Sequence, residues 1–174
     1  PITITVETGG TVGAGTGTGS ADRELLQGYL HNGNAPLVLQ LKNVPNDVYN
    51  LVIYSVGFNF NTTYEQSLAL AGAGTYPVYA ERAQHAGQYL ANPVYTPMAS
   101  TDPDDRAQGN YTVFQSVSPA GDGTLVLTVT PEFPGTPGIN FLPAVNALQL
   151  VKVLPVAPEL AVSLQSALSG QPDL

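Results

Sequence analysis

Read for period, the chain divides into short stretches in which apolar and polar residues alternate. Ile2 to Glu7 runs Ile, Thr, Ile, Thr, Val, Glu, the two-residue repeat of a strand with one face buried. Pro36 to Lys42 (PLVLQLK) repeats it. After a turn at Asn43 to Asn46 through Pro45, Val48 to Val56 (VYNLVIYSV) resumes with β-branched and aromatic residues. These two are expected to pair antiparallel on a shared buried face. Glu65 to Ala71, Thr75 to Ala80, Gln88 to Tyr95, Tyr111 to Val117, Thr124 to Thr130 and Val145 to Val153 complete nine predicted strands, each bounded by Gly, Pro, Asn or Asp. The six residues Ser118 to Gly123 suit a hairpin between Tyr111 to Val117 and Thr124 to Thr130.

Elsewhere the period weakens. Residues 8–20 (TGGTVGAGTGTGS) hold six glycines and predict a mobile loop or an irregular edge strand. Ser20 to Leu30 places a capping Ser before Asp22, Glu24 and a Leu pair, which suits a short helical turn. In Pro158 to Leu168, Leu160, Leu164 and Leu168 recur at helical spacing, with Pro158 at the first turn and Gly170 past the end; residues 160–164 alternate as a strand would. There is no internal repeat. Many short strands without intervening helices exclude a parallel α/β sheet, whose crossovers are longer. The expected fold is all-β: a two-sheet antiparallel β-sandwich, as in a jelly roll, over residues 1–154, with a Pro-containing tail or linker at 155–174.

Composition narrows the function classes. A chain of 174 residues can bury about 70% of its unfolded surface and needs no staples. It has no cysteine, which removes disulfides and thiolate metal sites. Its net charge of −8 is the wrong sign for nucleic acid or anionic lipid. No apolar run is long enough to span a membrane, and Pro1-Ile2-Thr3 lacks the basic start and apolar run of a signal peptide. The chain is expected to be an excised piece of a longer protein.

Local motifs for chemistry are sparse. The glycines include no Gly-Lys-Ser/Thr and do not fit G-x-G-x-x-G, and there is no Gly-x-Ser-x-Gly elbow. His31 and His85 lack metal-ligand spacing. Asp102-Pro103-Asp104-Asp105 offers hard oxygen ligands for Ca²⁺ but not the EF-hand spacing; a solvated acidic loop is the simpler reading. A small glycoside hydrolase or lyase would need two carboxylates, from among Glu65, Glu81 and Glu132, or an acid plus His85, to converge in one pocket. Asn61-Thr62-Thr63 and Asn110-Tyr111-Thr112 match the N-glycosylation pattern, which matters only in a eukaryotic source.

Tyrosine is the informative residue. There are nine and no tryptophan. Tyr76, Tyr79, Tyr89, Tyr95 and Tyr111 crowd together, interleaved with Glu81, Arg82, Gln84, His85, Gln88 and Asn92. A sugar presents a C–H face to an aromatic ring and hydroxyls to planar donors and acceptors, so this composition suits a sugar. The competing reading is that tyrosine is a good strand residue whose ring packs inside. Residues 72–109 form a long connection, the kind of loop on which binding residues gather. Tyr76, Tyr79, Tyr89 and Tyr95 are the stacking candidates, with Arg82, His85, Gln88 and Asn61 as hydrogen-bonding candidates. No catalytic residue is assigned.

Leu26-Gln27-Gly28-Tyr29-Leu30, then PLVLQLKNVPNDVYNLVIYSVG, YPVY, Gly109 to Phe114, and Val145 to Val151 resemble the galactose-binding-like jelly-roll modules of large secreted proteins of Verrucomicrobia and Planctomycetes. The likeness spans residues 25–153. It implies a secreted or cell-surface bacterial module that binds a plant or algal polysaccharide or oligosaccharide without catalysis, covalently linked to neighbouring domains. It implies no cofactor beyond calcium, which related modules hold with acids near both termini; Glu7 is available, whereas the closing strand has Asn146-Ala147 where the family has Asn-Gly. With no Trp platform, binding to a flat crystalline face is not expected. A structural or adhesive spacer that binds no sugar is the alternative.

Overall fold

The computed structural model describes residues 1–7, 11–14, 28–33, 35–56, 64–84, 94–132 and 145–155. Among them are eleven strands and no helix: β1 (Thr3–Val6), β2 (Thr11–Ala14), β3 (Gly28–His31), β4 (Leu37–Lys42), β5 (Tyr49–Tyr54), β6 (Tyr64–Ala71), β7 (Tyr79–Ala83), β8 (Ala107–Gly109), β9 (Tyr111–Val117), β10 (Leu125–Glu132) and β11 (Ala147–Lys152). Six form one sheet in the order β1-β4-β10-β6-β7-β8, antiparallel except where β8 runs parallel to β7. The second sheet, β11-β5-β9, is antiparallel throughout. β2 and β3 pair with each other, and Leu30 exchanges both backbone hydrogen bonds with Val145 (2.8 and 3.0 Å), which ties β3 to the approach of β11.

The expected all-β sandwich is the architecture observed. Alternation puts Leu37, Leu39 and Leu41 of β4, Leu125, Leu127 and Val129 of β10, and Leu68 and Leu70 of β6 on one inner face. Facing them are Leu51 and Ile53 of β5 and Phe114 of β9, with Leu148 and Leu150 of β11 partly buried at the margin. Each such side chain contributes about 1.5–3 kcal/mol on leaving water, and this burial holds the layers together.

Two expected pairings do not form. β4 and β5 lie in opposite sheets, as do β9 and β10, so both connections are arches across the core rather than hairpins. An alternating pattern fixes which face of a strand points inward, and an arch satisfies it as well as a hairpin does. Local geometry favours the arch. Asn43 takes a left-handed φ of 58° and Val44 plugs the end of the core, its N–H donating to the Gly123 carbonyl at 2.9 Å. In β9 an extra residue forms a bulge opposite Tyr49–Leu51, where Ser116 has φ 53° and its N–H donates to Asn50 Oδ1 at 3.1 Å. Beyond the bulge the chain crosses over: the Ser118 carbonyl accepts from Ala73 N–H at 2.9 Å in the turn that follows β6.

Smaller corrections follow from backbone chemistry. The strand expected at Thr75 to Ala80 begins at Tyr79, because Pro77 has no N–H to pair; Thr75 makes only a bridge to Ala71. The helical turn expected around Ser20, Asp22 and Glu24 lies outside the described residues, and the last residues of that segment, from Gly28, are strand; Thr11–Ala14 is the edge-strand outcome for the described part of the Gly-rich stretch. β8 is three residues long and carries no alternation to read. Most of the expected strand at Gln88 to Tyr95, and the 158–168 helix, lie outside the described residues.

Candidate functional site

Alternation along β5 that sends Leu51 and Ile53 inward leaves Asn50, Val52 and Tyr54 facing out. β9 likewise turns Thr112 and Phe114 inward and Tyr111 and Val113 outward. Tyr54 and Tyr111 are register partners, so their rings emerge side by side, with centroids 6.3 Å apart and planes inclined at 37°. Tyr95 stands edge-on to both, 5.8 Å from Tyr54 at 70° and 6.4 Å from Tyr111 at 73°, within the separation and tilt that aromatic pairs favour. It is 39% exposed. The Tyr54 hydroxyl donates to Gln149 Oε1 on β11 at 3.2 Å. The result is a cup of three phenol rings beside a carboxamide on the outer face of the three-stranded sheet.

Tyr95 reaches this position because its flanking peptides are held from below. Asn110 is fully buried; its Nδ2 donates to the Val94 carbonyl at 2.7 Å and to Gln84 Oε1 at 3.0 Å, while its Oδ1 accepts from Thr96 N–H at 2.9 Å. One side-chain amide thus grips the chain on both sides of Tyr95. The backbone adds Asn110 N–H to the Thr96 carbonyl at 2.9 Å and Met98 N–H to the Tyr111 carbonyl at 2.7 Å. Such close approach requires glycine at 109, where a Cβ would lie 2.4 Å from the Thr96 carbonyl oxygen and 2.8 Å from Met98 Cγ.

Under the cup lies a polar cluster sealed between the sheets. Glu81 projects inward from β7 with no exposed surface. Its Oε2 accepts from Gln66 Nε2 at 2.6 Å, and its Oε1 is in contact with Thr112 Oγ1. Gln66 Nε2 also reaches Ser55 Oγ at 3.2 Å, and Thr112 Oγ1 donates to the Met98 carbonyl at 2.7 Å. Burial raises the Glu81 carboxyl to about 7, and the hydrogen bonds from Thr112, Gln66 and Ser55 oppose that rise.

The residues expected to bind sugar divide. Tyr95 faces out in the cup. Tyr76 and Tyr79 turn inward against the core: the Tyr76 hydroxyl donates to the Ser118 carbonyl at 3.0 Å and accepts from Ser118 N–H at 2.9 Å, and the Tyr79 ring stands edge-on to Phe114 at 4.9 Å. Apolar demand at the arch and the core, not ligand, accounts for those two rings. Arg82 is on the outer face of the other sheet, with Nε and Nη2 on Glu65 Oε1 at 2.9 and 2.8 Å, and so does not share a site with Tyr95. Tyr89, His85, Gln88 and Asn61 lie outside the described residues. Tyr54 and Gln149 were missed, although the alternation of β5 already turned Tyr54 away from Leu51 and Ile53.

The three carboxylates do not gather in one place: Glu65 and Glu132, register partners on β6 and β10, meet at Arg106, and Glu81 is apart from them. The Arg106 guanidinium also donates to the Gln66 carbonyl at 3.3 Å, on the outer face of the six-stranded sheet; Glu81 is on its inner face. Asp102 Oδ1 accepts from Asp104 N–H at 2.9 Å within its own turn, and among the described residues no group of His, Asp and Glu is arranged to hold a metal. Asn146 is a strut, its Oδ1 accepting from Val56 N–H at 2.5 Å and its Nδ2 donating to the Gly28 carbonyl at 3.0 Å. The sequon asparagine Asn110 is enclosed. Comparison of the chain with family models, curated proteins and solved structures finds no match in any of the three.

Proposed function

We propose that this protein is a non-catalytic carbohydrate-binding module that takes a plant or algal polysaccharide on the cup formed by Tyr54, Tyr95 and Tyr111, as an accessory domain covalently joined to others in a larger exported bacterial protein. The outward aromatic cluster carries the proposal. Rings inclined by 70° and 73° make a cup for one or two sugar units of a soluble chain rather than a strip for a crystalline face. The net charge of −8 favours a neutral glycan over a uronic or sulfated one. A shallow, wet site gives modest affinity, because ordering costs absorb much of the contact energy.

Affinity electrophoresis against soluble mixed-linkage β-glucan, xylan and galactomannan, together with a glycan array, tests this. Retention by at least one neutral polysaccharide is expected, and it should be lost in the Tyr95→Ala/Tyr111→Ala double variant with the β-sandwich spectrum unchanged. The inward packing of Tyr76 and Tyr79 is what a spacer domain would equally display. Retention by no glycan, with the sandwich intact, overturns the binding role and favours the spacer.

A further inference from the structure

This inference rests on the carbohydrate reading of the tyrosine cup and concerns its control. The cup and the sealed polar cluster are adjacent in sequence at three points: Ser55 follows Tyr54, Thr112 follows Tyr111, and Met98 lies on the segment that carries Tyr95. Thr112 Oγ1 touches two acceptors, Glu81 Oε1 and the Met98 carbonyl, but a hydroxyl has one proton to donate. Both contacts are hydrogen bonds only when Glu81 brings a proton of its own, donating to Thr112 while Thr112 donates to Met98. When Glu81 is ionised it draws the Thr112 proton to itself. The Met98 carbonyl then loses that donor in a dry site where an unmade bond is costly.

Among the described residues, the surroundings leave the switch to this one proton. Facing Glu81 are Gln66 from β6, Ser55 from the end of β5, Thr112 from β9 and the Met98 carbonyl. Tyr64, also inward on β6, packs with Ala83 and Met98, and Tyr79 packs on Phe114. The charged groups of β6 and β7 and of the approach to β8, namely Glu65, Arg82 and Arg106, are bound to one another on the opposite face of the sheet.

We propose that Glu81 is a proton-operated latch for the tyrosine cup: protonated, it lets Thr112 hold the segment bearing Tyr95 against β9, and ionised, it withdraws that bond and loosens Tyr95 from Tyr54 and Tyr111. The raised carboxyl places the change near neutral pH, so glycan is gripped on the acidic side and released on the alkaline side.

The test has a ligand-free arm and a binding arm, run at about pH 5.5 and about pH 8.5, on either side of the Glu81 transition. Without ligand, carboxyl carbon NMR of Glu81 and amide exchange at Met98 are followed in the wild type and in Glu81→Gln, which keeps a neutral donor. Met98 exchange should rise at the higher pH beyond its intrinsic base catalysis in the wild type and not in Glu81→Gln. In the binding arm, wild-type retention on mixed-linkage β-glucan, xylan or galactomannan should fall severalfold at the higher pH, while Glu81→Gln retains its low-pH behaviour. A Glu81 signal that titrates in the ordinary carboxylate range, or measurable retention that is equal at both pH values, overturns the latch and leaves the carbohydrate reading standing. The expected exchange pattern with no retention at either pH defeats the carbohydrate reading instead. If Glu81→Gln does not fold, the wild-type carboxyl titration and Met98 exchange decide the matter.

Discussion

Tyr95 is the ring whose removal should weaken binding most for the least loss of stability, because it lies at the open side of the cup and is 39% exposed. Tyr95→Ala removes the exposed ring a sugar would cover, and retention on a bound polysaccharide should drop by about fivefold; the lost edge-on contacts to Tyr54 and Tyr111, on the order of 1 kcal/mol, should lower the thermal midpoint by about 2–4 °C. Tyr76→Phe should do the reverse. It strips the hydroxyl that both donates to and accepts from Ser118, which costs about 1–2 kcal/mol in a denaturant titration and leaves glycan retention as it was. The two residues are chemically identical, and proximity in sequence grouped them together. What separates them is the face each occupies. Tyr54 sits in an alternating strand, so its outward position is legible beside Leu51 and Ile53. Tyr76 sits in a turn next to Pro77, where no period exists to say which way a ring points, and its partner Ser118 is brought to it only by the arch after β9.

At the scale of elements, the segment through Thr96 and Met98 is the part of the site most sensitive to backbone spacing. Gly109→Ala puts a methyl group within 2.4 Å of the Thr96 carbonyl oxygen, and overpacking of that kind costs about 1–3 kcal/mol. It should lower both the thermal midpoint and glycan retention, because the segment it displaces carries Tyr95. Gly121→Ala, where an added Cβ meets nothing within 4 Å, is the matched control and should change neither. That dependence could not be read from the chain, since residues 96 and 109 come together through tertiary pairing, that of Pro97 with Tyr111 and of Thr96 with Asn110. Strand positions were largely legible: β4, β5, β6, β9, β10 and β11 fall within a few residues of the alternating stretches. Strand partners were not. Asn43 and Ser116 have to enter the left-handed region for the arches to form, and neither residue advertises this as a glycine would.

For the whole molecule, the two-sheet form follows from the period and the scarcity of charge, but the most distinctive property of its interior does not. Glu81 occupies an inward position of β7, between Tyr79 and Ala83, where the pattern calls for an apolar residue; only the assembled sandwich reveals the amide and hydroxyls that receive it. Its effect on stability has a definite sign. In the unfolded chain the carboxyl ionises near 4.5, and in the folded protein near 7. Below 4.5 it is protonated in both states and its contribution is complete. Between 4.5 and 7 the folded state keeps a proton that the unfolded state has released, so stability falls as pH rises. Above 7 the contribution is gone, a total change on the order of 3 kcal/mol. The other ionisable groups of the protein also shape the wild-type curve, so that curve alone does not isolate Glu81. Subtracting the unfolding free energy of Glu81→Gln from that of the wild type, measured by urea titration across this range, cancels the shared terms. The difference should decline steadily from about pH 4.5 to about pH 7 and then level off, and a difference independent of pH would mean that Glu81 is not held neutral inside the fold.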